Sequence, residues 1–135
     1  MLIKIQKGQP VQITNHFSST EFECPCTNCT INYVDDQLVN KLEDLRVDYG
    51  SPIRITSGYR CPKHNEEVGG VSASAHQSGL AADIQPSVVN VDELDKLYDL
   101  AYISFDNIGD GRRLKFVHLD VRPSKPDGKK RTWTY

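Results

Sequence analysis

The chain has 135 residues, with 16 Lys and Arg against 18 Asp and Glu and a net charge of −2. That length supports one domain with a modest core, and the near-balance of charge excludes the broad positive field that draws proteins to nucleic acid. With 38% hydrophobic residues and no run approaching the roughly 18 apolar residues of a membrane span, the composition is that of a soluble globular domain.

The start, MLIKIQKGQPVQIT, alternates apolar and polar residues and lacks the continuous apolar core of an export signal. Synthesis in the cytoplasm is therefore expected. Residues 2–14 read as one or two short strands interrupted by Gly8 and Pro10. In SSTEF, Ser18 with Glu21 three residues on has capping-box spacing and predicts a short helical turn. The run CPCTNC then places Cys24, Cys26 and Cys29 together, with Cys61 distant.

Between 35 and 49, Leu38, Leu42 and Leu45 recur at helical spacing, acids occupy the first turn, and Gly50 and Pro52 follow. This is the clearest helix. IRITS (53–57) is β-branched and alternating, a strand that delivers SGYR at its end. Residues 61–68 suggest a short helix, and GGVSASAHQSG is too small and glycine-rich for anything but an ordered loop. AADIQ reads as a strand. In VDELDKLYDLAYI, Leu94, Leu97, Tyr98 and Ala101 share one helical face. GDGRR reads as a turn before KFVHLDV, and a basic, partly aromatic tail ends in RTWTY.

Strand periodicity carries the chemistry. In KFVHLDV, Phe116, His118 and Asp120 share one face while Val117, Leu119 and Val121 share the other. In AADIQ, Ala81, Asp83 and Gln85 point together, away from Ala82 and Ile84. If the two strands are antiparallel neighbours, His118 and Asp83 meet, and His76 arrives from the loop. Two imidazoles and a carboxylate form the ligand set of a catalytic zinc site, which keeps one coordination position open. Bound zinc lowers the pKa of water toward neutrality and polarises a carbonyl, as amide hydrolysis requires. The plainer alternative is a pair of hydrogen-bonded histidines in a core.

SGYR at 57–60, SAHQSGLAAD at 74–83 and FVHLDV at 116–121, in that order, resemble the D-alanyl-D-alanine carboxypeptidase family of zinc peptidases, in particular its small, often phage-encoded branch. HFSSTEFECPC and LRVDYGSPIRITSGYRCPKHN extend the resemblance over about residues 16–122. It implies a zinc metallopeptidase acting on peptidoglycan stem peptides, as a carboxypeptidase or an endolysin-like endopeptidase. His76, Asp83 and His118 would be the zinc ligands. Arg60 matches the family arginine after the Gly-Tyr pair and would bind a substrate carboxylate or the developing oxyanion, a structural salt bridge being the alternative. Ser74 would touch substrate or shape its loop.

Several branches carry an acidic residue three positions before the last histidine ligand, where this chain has Lys115. Asp120 is then the candidate general base. Its other possible role is to accept the free ring N–H of a ligand histidine and fix its tautomer. Tyr59, Trp133 and Tyr135 either line a substrate groove or pack.

Cys24, Cys26, Cys29 and Cys61 leave three states open: thiolates on a structural zinc, a disulfide tying the N-terminal segment to the SGYR strand, or free thiols. His16 and His64 are expected to cap or pack. The expected architecture is a compact α+β single domain spanning 1–135, a monomer, with helices on one side of an antiparallel sheet and the zinc cleft on the other. Non-catalytic alternatives are a zinc-dependent cell-wall-binding domain and a cysteine–zinc interaction module. Without an export signal, the protein is expected to reach the wall after lysis or release, or as part of a phage particle.

Overall fold

The computed structural model describes residues 1–71 and 74–135. Two antiparallel strands, β1 (Leu2–Gln6) and β2 (Ile31–Asp35), form a small sheet. The larger sheet has the order β3-β4-β6-β5-β7, from β3 (Ile53–Ser57), β4 (Ala81–Pro86), β5 (Asn107–Gly111), β6 (Phe116–Asp120) and β7 (Arg131–Thr134). The helices are α1 (Asp36–Tyr49), α2 (Pro62–Glu67) and α3 (Val91–Ser104). The α+β class is as expected. No helix among the described residues is long and apolar enough to cross a membrane.

The leucine spacing of α1 works as read: Leu38, Leu42 and Leu45 are fully buried. The Asp35 carboxylate caps the helix by accepting from the Gln37 N–H at 2.8 Å, and Gly50 closes it by donating its N–H to the Arg46 carbonyl. Asn90 caps α3 in the same way at the Glu93 N–H, 2.8 Å away. Leu97 and Ala101 of α3 join α1 and the inner face of the sheet, Ile53, Ala82, Ile84, Ile108, Val117 and Leu119, in one core. At the full-burial scale of about 1.5–3 kcal/mol per large apolar side chain, this two-layer contact dominates the stability. Ser18 caps a short 3-10 helix, Ser19–Phe22, with its N–H donating to the carboxylate of Glu21 in the first turn at 2.7 Å.

The N-terminal segment falls within its expectation, and two later elements differ from theirs. Of residues 2–14 only β1 is a regular strand, and the Val11–Ile13 stretch forms a single bridge, Gln12 to Ser18. β2 carries no helix or strand expectation, because its inward positions are a buried Asn32 and Val34. GDGRR is not simply a turn: its first residues complete β5, and Arg112–Leu114 form a 3-10 helix. The glycines that made it look like a turn are there for aromatic cover. A Cβ at Gly109 would stand 2.7 Å from the Trp133 indole nitrogen, and one at Gly111 would stand 2.5 Å from the Phe116 ring. The tail returns as β7, parallel to β5, so the sheet is antiparallel except at this edge. Of the expected ordered loop, residues 72 and 73 lie outside the described residues.

Candidate active site

The cross-strand register converts the two strand patterns into a site. Asp83 pairs directly with His118, Ser57 with Asp83, Gly109 with His118, and Trp133 with Gly109. One row therefore crosses all five strands on the face opposite the helices, and its central members are Asp83 and His118. A register shift between Ile55 and Ser57 is a bulge, which bends the strand end and re-aims the residues beyond it. The backbone after it, Gly58–Arg60, lies against the His76 turn: the Arg60 N–H donates to the His76 carbonyl at 3.2 Å, and the Gly58 carbonyl faces the His76 ring.

His76, Asp83 and His118 converge. His76 Nε2 lies 3.3 Å from His118 Nδ1 and 3.3 Å from Asp83 Oδ1, and His118 Nδ1 lies 2.9 Å from Asp83 Oδ1. The other nitrogen of each ring is committed. His76 Nδ1 donates to the Gly58 carbonyl at 2.8 Å, and His118 Nε2 donates to Asp120 Oδ2 at 2.9 Å. A carbonyl and a carboxylate can only accept, so in the neutral rings the inward nitrogens are bare lone pairs. Two lone pairs and a carboxylate oxygen thus face one another, an arrangement that requires a positive charge among them.

The donor set fits zinc. Ligand distances of about 2.0–2.2 Å place tetrahedral N/O donors roughly 3.3–3.5 Å apart, close to the separations here. Without an ion, a ring proton supplies that charge instead. Burial works against the charge on Asp83, but hydrogen bonds from His118 and His76 outweigh it and hold the carboxyl well below the usual range. Burial likewise disfavours protonated His118, yet its bonds to Asp120 and Asp83 prevail and raise its pKa.

A cleft of about 400 Å³ opens over this trio, lined by Arg60, Ser74, His76, His118, Asp120, Arg122, Trp133 and Tyr135 among others. Arg60 donates to Asn65 Oδ1 at 3.2 Å, and its other terminal nitrogen stands 3.9 Å from Asp83 Oδ2. Ser74 Oγ accepts from the His76 N–H at 3.2 Å and so braces the loop. Trp133 tilts over the His118 ring with centroids 5.2 Å apart. Tyr59 does not line the cleft. It packs edge-on against Tyr33, 6.0 Å between centroids. Lys115 is exposed at the turn before β6, with its carbonyl accepting from Gln85, and is not among the residues lining the cleft.

Asp120 is 1% exposed, and both its oxygens are engaged. Oδ2 receives His118 and the Arg122 guanidinium, and Oδ1 receives Arg122 Nε at 2.9 Å and the Arg122 N–H at 3.1 Å. The remaining histidines lie outside this site. His16 pairs with Glu43, and His64 sits in α2 near Glu67.

Two functional residues escape sequence reasoning. Asn65, 2% exposed, holds Arg60 with its carbonyl oxygen and donates to the Val71 carbonyl at 2.8 Å. Nothing in its short helix marks it. Arg122 could have been found, since it lies two residues after Asp120 on the same side of an extended chain.

Comparison with known proteins adds two findings. A family model described as Peptidase M15 matches residues 15–120. No curated protein matches the chain.

Proposed function

The chain belongs to the Peptidase M15 family, and from that premise we propose that it is a zinc-dependent peptidase that hydrolyses an amide bond in the peptidoglycan stem peptide or cross-link. The observation that carries this reading is the triangle of His76 Nε2, Asp83 Oδ1 and His118 Nδ1, with separations of 2.9–3.3 Å and both imidazoles held in the ligating tautomer. These three residues would hold the zinc ion. When bound, the ion supplies Lewis acidity, polarising the scissile carbonyl and easing ionisation of water near neutral pH.

The chain's own groups do the rest. The Gly58 carbonyl and Asp120 keep the two rings from turning, so the site is preorganised. Among the described residues that line the cleft Asp120 is the only carboxylate. Since its oxygens already accept from His118 and Arg122, we assign it the orienting role and not that of a base. Arg60 keeps guanidinium N–H groups for a planar anion, the terminal carboxylate of a stem peptide or the oxyanion that develops on the attacked carbonyl. Trp133 and Tyr135 form an apolar wall that shields the reacting bond from bulk water. Lys115 at the customary acidic position favours a second reading, a zinc-dependent domain that binds wall peptides without cleaving them. The protein would meet the wall after lysis or release, or within a phage particle.

The test is product mass after incubation of purified muropeptides with wild type and with His76→Ala. The expected result is a chelator-sensitive mass loss with wild type alone. Binding of muropeptide without any mass change supports the second reading, and equal cleavage by the variant refutes the metal mechanism.

A further inference from the structure

Cys24, Cys26, Cys29 and Cys61 form a second convergent cluster, separate from the histidine site. Their four sulfurs all lie within 4.8 Å of one another. The Cys26 sulfur stands 3.2 Å from that of Cys29 and 3.6 Å from that of Cys61. No disulfide joins any of them. Zinc–sulfur bonds of about 2.3 Å set tetrahedral sulfurs roughly 3.8 Å apart, whereas a disulfide requires about 2.05 Å. Four sulfurs gathered around one point at the longer spacing match a shared ion better than two bonded pairs.

The surroundings are those of a thiolate site. Asn32, 0% exposed, receives the Cys24 N–H on Oδ1 at 2.8 Å and donates Nδ2 to the Cys29 sulfur at 3.3 Å. This buried amide therefore clamps both ends of the CPCTNC loop, and it explains a polar residue at an inward position of β2. The His64 N–H points at the Cys61 sulfur, 3.4 Å away, and Lys7 Nζ lies 3.9 Å from the Cys26 sulfur while donating to the Cys26 carbonyl at 2.6 Å. Four thiolates around a divalent cation carry a net charge of −2. N–H donors and one ammonium at the sulfurs are what such a charge needs.

We propose that Cys24, Cys26, Cys29 and Cys61 bind a structural zinc ion in a closed four-sulfur site, the four thiol protons being released on binding. Its role follows from its position. Cys61 directly follows Arg60 and caps α2, so the ion fastens the CPCTNC loop to the strand end that presents Arg60 and the Gly58 carbonyl to the cleft. A closed site leaves no coordination position for substrate.

The experiment measures zinc per chain by elemental analysis in wild type and in the double variant His76→Ala/His118→Ala, both purified under reducing conditions. Two zinc ions in wild type and one in the double variant are expected. That remaining ion should leave in step with titration of four thiols by a mercurial, and Co2+ in its place should show intense thiolate-to-metal charge-transfer absorption. Wild type with one zinc that the histidine variant keeps supports this site and refutes the catalytic metal. One zinc that the histidine variant loses does the reverse. If the double variant does not fold, wild-type stoichiometry and the Co2+ spectrum decide. A spectrum without thiolate bands, or an intact mass showing the loss of two or four hydrogens to disulfides, overturns the proposal.

Discussion

Replacing Asp120 with Asn tests whether this residue orients His118. The carboxylate serves two donors at once, His118 Nε2 at 2.9 Å and Arg122 Nε at 2.9 Å. An amide of the same shape has one oxygen, so its NH2 must face one of the two donors. Turned toward His118, it favours the ring form with the proton on Nδ1, the nitrogen that faces Asp83 and His76. Turned toward Arg122, it sets donor against donor in a site that is 1% exposed. Losing such a supporting partner typically costs 10- to 100-fold in metal affinity, or about 1.4–2.7 kcal/mol. The assay is competition for zinc against a fluorescent chelator, taking the binding that His76→Ala abolishes as the reference, with circular dichroism to confirm folding. Wild-type affinity in a folded Asp120→Asn protein would refute the orienting role. If hydrolysis were lost at the same time, Asp120 would be the proton acceptor instead.

Gly58→Ala places a Cβ 2.6 Å from the Phe22 Cα and 2.8 Å from the Phe22 carbonyl oxygen, so the backbone that holds His76 must move. Chemical denaturation should show a loss of about 1–3 kcal/mol, accompanied by weaker zinc binding at the histidine site. Trp133→Ala removes the wall over His118 and should raise KM for muropeptides roughly two- to tenfold, with a smaller effect on kcat and unchanged zinc content. For acid stability, the Arg112 hydrogen bond holds the Asp110 carboxyl below its ordinary value of 3.8. A group depressed on folding stabilises above the unfolded pKa and loses that contribution as pH falls through the folded one. Wild type should therefore lose melting temperature more steeply than Asp110→Asn below about pH 4; parallel curves would exclude the linkage. Leu42→Ala, at a fully buried α1 position, should cost about 2–5 kcal/mol in denaturant unfolding.

Periodicity made the central strands and the two long helices readable from the chain. KFVHLDV and AADIQ divide cleanly into apolar and functional faces, and their antiparallel pairing set Asp83 opposite His118. α1 and α3 were equally legible from leucine spacing and capping residues. β5 was not, because glycines that make room for aromatic rings look locally like turn glycines. β2 was hidden by Asn32, whose burial makes sense only beside the cysteines. The alternatives for Asp120 could not be separated in sequence, since orienter and base occupy the same position and differ in which neighbours fill the carboxylate. Tyr59 comes after a glycine at a strand end, where the direction of a side chain depends on the bulge and not on the strand period.

The row across the large sheet is not uniform in how firmly it is held. Asp83 and His118 sit on β4 and β6, strands laddered on both sides, whereas Trp133 rides on β7, a four-residue strand with β5 as its sole partner in the sheet. The candidate ligand pair is thus anchored in the interior of the fabric and the aromatic wall is stitched to its hem. Under the proposed function, substitutions along that hem would reshape which peptides are admitted while the ligand set stays as it was.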